Sequence, residues 1–138
     1  MEYIEEDQEF ADKLQQITNV LQDVEKRIPD IEGLVVVSQD GLPIASALSL
    51  GLSKDEEVDE SRISAMTAAT LMVAQKVSAE LDRGEMDQIM IRGKKGLVII
   101  MKAGEFAVLA GIAKTDAALG LVLLEMNRCA KNLTKLLV

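Results

Sequence analysis

Residues 61–81 read SRISAMTAATLMVAQKVSAEL, and the reading of this stretch decides the fold. One stripe carries Ile63, Met66, Thr70, Val73, Val77 and Leu81 at steps of three and four, the spacing that aligns side chains along one helix face. A second face carries Ala65, Ala68, Ala69 and Met72, all small or adaptable. Between Arg62 and Lys76 the stretch has no charge, whereas a helix on a small domain normally turns a charged back to water. The expectation is a helix with two apolar faces. The Ile63 stripe covers a sheet and the Ala65 face meets a second protein.

The segments on either side supply that sheet. Asp82-Arg83-Gly84 closes the helix, with Gly84 expected as the left-handed cap. Strands are predicted over residues 88–92, 97–102 and 106–112, joined by turns at Gly93-Lys94-Lys95-Gly96 and Ala103-Gly104-Glu105. Residues 97–101 read LVIIM, apolar without alternation, as in a strand covered on both faces. Upstream, strands over 34–38 and 42–47 flank Gln39-Asp40-Gly41, a hairpin turn in which Gly tolerates positive φ. Pro43 has no N–H for a ladder and suits a sheet edge. The linker over 48–60 turns acidic. Ser53 and Glu56 form a capping-box pattern that would start the helix near Lys54, with Asp59 as a later start. Asp55, Glu56, Glu57, Asp59 and Glu60 then read as a solvated helix terminus, since they lack the spacing and mid-loop Gly of a calcium loop.

Two further helices bracket the chain. Over residues 5–27, Phe10, Leu14, Ile17, Leu21, Val24 and Ile28 make one seam, ended by Pro29. Over 116–137, with Thr115 as N-cap, the seam is Leu119, Leu123, Met126, Ala130, Leu133 and Leu137, and Glu125, Arg128, Lys131 and Lys135 lie outside it. The fold class is therefore α/β, an α+β sandwich in the order α-β-β-α-β-β-β-α. A five-stranded antiparallel sheet carries the first and last helices on one face and the central helix on the other. Residues 1–138 are read as one domain, with a core over 31–138 and a helix over 5–28 extending it.

Composition narrows the function. The 138 residues are 49% hydrophobic but 2% aromatic, and 23 acidic against 15 basic residues leave a net charge of -8. That balance disfavours nucleic acid and anionic membranes, both of which call for a basic face. The chain has no His and one Cys, which removes the commonest general base and any internal disulfide and suits a reducing compartment. The opening MEYIEEDQEF is acidic where a secretory signal is basic, and the apolar runs at 97–101 and 117–124 are too short to span a bilayer. A cytoplasmic protein is expected.

No catalytic constellation emerges. Phosphate-loop and dinucleotide fingerprints are missing. Gly93-Lys94-Lys95-Gly96 joins two strands instead of opening a helix, so it reads as a basic turn. Cys129, beside the last seam, reads as a buried inert thiol. No cofactor, metal or catalytic residue is expected. Met66, Met101 and Met126 fall at core spacing, while Met72 and Met90 stand evenly between core and contact surface.

One feature exceeds ordinary packing. The strand Gln88-Ile89-Met90-Ile91-Arg92 should lie at a sheet edge, and an apolar edge without Pro is an aggregation hazard unless something pairs with it. Two copies pairing about a two-fold axis would satisfy it and bring two central helices together. The expected homodimer interface is Gln88, Ile89, Met90, Ile91 and Arg92, with Ala65, Ala68, Ala69 and Met72.

From residue 31 the sequence reads IEGLVVV, then SQDGLPIA from residue 38. With the Ala-rich central helix, Gly96-Leu97 and the Leu-rich last helix, it resembles the Roadblock family, named for the dynein light chain. That family includes bacterial and archaeal partners of Ras-like small GTPases. The resemblance implies the sandwich just derived, dimerising through strand three and the central helix. It also implies a non-enzymatic role: binding a small GTPase and modulating its nucleotide cycle or location. Arg62, Ala65, Ala69, Met72 and Lys76 are the residues expected to contact such a GTPase, and Arg92 is a further candidate. The alternatives are a scaffold or cargo adaptor with no effect on nucleotide turnover, or a small-molecule sensor.

Overall fold

A computed structural model of the chain describes residues 2–48 and 60–137, with side chains from residue 7 onward. The elements are α1 (Glu2–Arg27), β1 (Ile31–Ser38), β2 (Pro43–Leu48), α2 (Glu60–Glu80), β3 (Gln88–Gly93), β4 (Gly96–Lys102), β5 (Ala107–Ala113) and α3 (Leu119–Leu136). The strands form one antiparallel sheet in the order β2-β1-β5-β4-β3. The expected Ser53–Glu56 capping box lies outside the described residues.

Strand alternation sends the aliphatic residues to both faces. On one face, Leu34, Val36, Leu97, Ile99, Met101 and Leu109 pack beneath Ile17, Leu21 and Val24 of α1, Ile28 just after it, and Val122, Met126, Cys129 and Leu133 of α3. Each fully buried side chain of this size contributes about 1.5–3 kcal/mol, so this layer dominates stability. Gly111 of β5 makes room for Met126: a Cβ there would stand 2.6 Å from the Met126 Sδ. The opposite face is thinner. Among its buried residues, Leu71 of α2 packs with Ile100, Val108 and Ala110.

The helix ends depart from expectation in instructive ways. Thr115 does not cap α3; its hydroxyl donates to the Lys94 carbonyl at 3.4 Å. The helix starts at Leu119, where the Ala118 N–H donates to Asp30 Oδ2 at 3.0 Å. A carboxylate from the α1–β1 turn thus reaches the positive end of α3, a stabilising placement. At the end of α2, the left-handed residue is Asp82, at φ 56°. The Arg83 N–H reaches the Ser78 carbonyl at 2.8 Å and the Asp82 N–H reaches Ala79 at 3.1 Å, the two bonds of a Schellman closure. Gly84, expected as the cap, is also at positive φ but stands two residues further on.

Two seam assignments also change. Phe10 is 65% exposed, because α1 runs past the part of the body that the described residues build. Glu125, expected outside, is 5% exposed and accepts from Arg27 of α1 at 3.2 Å and Arg128 at 3.5 Å. The pair with Arg27 ties the two helices together beside Cys129, whose thiol burial pushes up to about 11.

Candidate functional site

The surface of interest is built by α2 and β3. Helix α2 does not bury the stripe that its sequence puts forward. Ser64, Thr67, Ala68 and Leu71 are its buried residues, a mostly small and polar line. Met66, Val73, Val77 and Leu81, expected in the core with Ile63 and Thr70, are 51–64% exposed. Ile63 and Thr70 are half-buried. Space on the sheet decides the matter. Gly41 of the β1–β2 turn, at φ 87°, lies directly over α2: a Cβ there would be in van der Waals contact, 3.4 Å from the Ala68 Cβ and 3.5 Å from the Ala65 Cα. Only small side chains fit under that turn. Among the described residues, the buried Ser64 hydroxyl has no hydrogen-bond partner. A helix that turns Ser and Thr inward and Met and Val outward presents the kind of exposed apolar face that marks a contact surface.

Two exposed lines run along α2. Arg62, Ala65, Ala69, Met72 and Lys76 share one, spaced by three and four, and all five are exposed. Met72 borders a cleft with Asp40, Gln75, Lys102 and Gly104, so this line lies toward the β1–β2 and β4–β5 turns. The second line, Met66, Val73, Val77 and Leu81, lies round the helix on the other side, toward the part of the sheet that α2 leaves open. There the register aligns Ile91 with Val98 and Val98 with Ile112, with Ile91 47% exposed. Ala68, expected on the contact face, is 7% exposed beneath the Gly41 turn.

Strand β3 ends the sheet beyond β4, as expected from its hairpin. Ile89 is half-buried and packs with Ile100, while Gln88, Met90, Ile91 and Arg92 are exposed. Ile89 and Ile91 face α2's side; Gln88, Met90 and Arg92 alternate to the side of α1 and α3. Its outer backbone edge meets no strand among the described residues. The opposite edge, β2, is broken by Pro43 and by a register shift between Val36 and Val37, the usual means of blunting an edge. Strand β3 has neither. The sequence located this edge, because β3 follows a helix and pairs by a tight turn. It missed the orientation of α2, since the Gly41 contact that sets it links residues distant in sequence.

The described residues include no group of three or more His, Cys, Asp or Glu placed to hold a metal ion, and no helix among them is long and apolar enough to cross a membrane. Fold and site together define a sandwich domain with one open sheet edge and an apolar helix flank beside it. The chain belongs to the Roadblock/LC7 domain family, whose sequence profile matches residues 17–113. An uncharacterized protein of Methanocaldococcus jannaschii is 34% identical over 103 residues, 75% of this chain and 84% of that protein. Among solved structures, an MglB in a tetrameric arrangement has a TM-score of 0.80 at 18% identity, covering 90% of this chain and 89% of the other. Myxococcus xanthus MglB has a TM-score of 0.78 at 21% identity, with 90% and 89% covered. At these identities the likeness to MglB is one of fold.

Proposed function

We propose that the chain is a non-enzymatic, cytoplasmic homodimer that serves as a binding platform for a Ras-like small GTPase, modulating its nucleotide cycle or its location. The carrying observation is the inverted burial of α2, which leaves two exposed lines with different surroundings. The Val73, Val77 and Leu81 line adjoins the open half of the sheet and the β3 edge. A second copy, pairing β3 to β3 about a two-fold axis, covers that line and extends the sheet. The Arg62, Ala65, Ala69, Met72 and Lys76 line lies round the helix from it and stays available to a client. Small residues at Ala65 and Ala69 permit close approach, Met72 adapts to its partner, and Arg62 and Lys76 supply charge at either end. Family membership supports a GTPase as that client, through the kind of partner the Roadblock resemblance implies.

The test measures affinity for candidate Ras-like GTPases loaded with GDP or a GTP analogue, together with exchange and hydrolysis rates. Binding to one nucleotide state, weakened about tenfold or more by Ala69→Arg at the centre of the exposed line, is the expected result. Absence of binding in both states removes the reading. Binding that leaves both rates unchanged favours the scaffold or cargo-adaptor alternative.

A further inference from the structure

Helix α1 is longer than the body it packs on. Arg27 pairs with Glu125, and Ile17 and Leu133 share one core, so α1 and α3 run antiparallel with α3 ending near residue 15 of α1. The preceding part projects beyond α3 by about 20 Å at the rise of an α-helix. Residues 7–13 are exposed on every side. Phe10 continues the line of Leu14, Ile17 and Leu21 into this overhang and is 65% exposed. Residues 2–13 hold six carboxylates against Lys13. The positive end of a helix favours acid only over its first turn; beyond it stand Glu9 and Asp12, and Asp12 accepts from Gln8 Nε2 at 2.9 Å. The overhang lies outside the stretch 17–113 shared with the family.

The complementary surface is on α3. Its outward line runs Leu121, Leu124, Arg128, Lys131 and Lys135, all exposed, with Leu121 and Leu124 at 44% and 48%. Glu125, the helix's one acid, is buried against Arg27, so the outer face is wholly positive. On the adjoining side of α1, Arg27 pairs with Asp23 and with Glu125, each at 3.2 Å, so the nearest carboxylates are already partnered.

We propose that the overhang of α1, through Phe10 and its flanking carboxylates, docks on the outer line of α3 in another copy of this chain. Two overhangs cannot pair with each other, since both are strongly acidic. An acidic helix with one aromatic anchor on a basic helix with two exposed leucines satisfies both charge and apolar surface. A two-fold axis makes the contact reciprocal, each overhang lying on the other copy's α3. Because α1 and α3 lie across the sheet from α2, this contact coexists with β3 pairing and builds assemblies larger than a pair.

Sedimentation velocity of the full chain at low and high salt tests the idea, with circular dichroism to verify folding. Three charge variants decide it: Glu9→Lys with Asp12→Lys, Lys131→Glu with Lys135→Glu, and all four together. Wild type should form species heavier than a pair at low salt, weakened by added salt. Each one-sided reversal should weaken that association about tenfold or more, and the fourfold variant should restore it. Phe10→Ser should weaken it at either salt. Wild type that never exceeds a pair, one-sided reversals without effect, or no recovery in the fourfold variant would each overturn the proposal. Ile89→Asp disrupts only the β3 pair, so failure there is distinguishable from failure here.

Discussion

Single residues set the chemistry of this fold through burial. Cys129 is 1% exposed in the α1–α3 layer, and its thiol is held at about 11, first by burial, with Arg27 lowering it and Glu125 raising it. Because the folded value lies above the unfolded one, the neutral thiol favours the folded state. That contribution is complete below the ordinary value of 9.0 and is lost as pH rises through about 11. Urea midpoints should therefore fall more steeply between about pH 9 and 11 in wild type than in Cys129→Ala, and equal slopes would refute the assignment. The residue's burial was legible from its place beside the α3 seam. Glu125 was not, for a carboxylate at a helix position reads as surface until a distant Arg27 is known to reach it.

At the scale of elements, five of the boundaries follow from residue patterns that act locally: Pro29 after α1, turn residues in the three strand–strand connections, Gly and Asp after α2. Asp82 shows where local reading stops. It takes the left-handed cap although Gly84 is better suited to it, because the two Schellman bonds to Ser78 and Ala79 fix which residue occupies that site. Asp82→Gly removes the Cβ penalty and should stabilise the fold by about 0.5–1 kcal/mol. A thermal melt that shows Asp82→Gly equal to or below wild type would contradict this. Helix α2 shows the same limit more broadly. Its three-four stripe predicts a core face, but periodicity cannot say which face is down, and Met66, Val73, Val77 and Leu81 are exposed. The Gly41 turn and the small residues beneath it decide that, and they send the large aliphatics outward.

At the scale of the molecule, the two sheet faces are unequal. One is sealed by α1 and α3, with Leu21, Met126 and Leu133 at 0% exposure. The other is half covered by α2 and leaves Val77, Leu81 and Ile91 in water beside an open edge. Exposed apolar surface continuous with an unblunted strand is the arrangement of half a core. The sequence pointed to this through the apolar β3 strand, while the size of the exposed flank became visible only once α2 was oriented. The most direct measurement is the solution mass of wild type and of the Ile89→Asp, Met90→Lys double variant by light scattering. At high salt, which screens the contact proposed for the α1 overhang, the account predicts twice the chain mass for wild type and a monomer or insoluble protein for the variant. A well-folded double variant that still runs as the same dimer would contradict it.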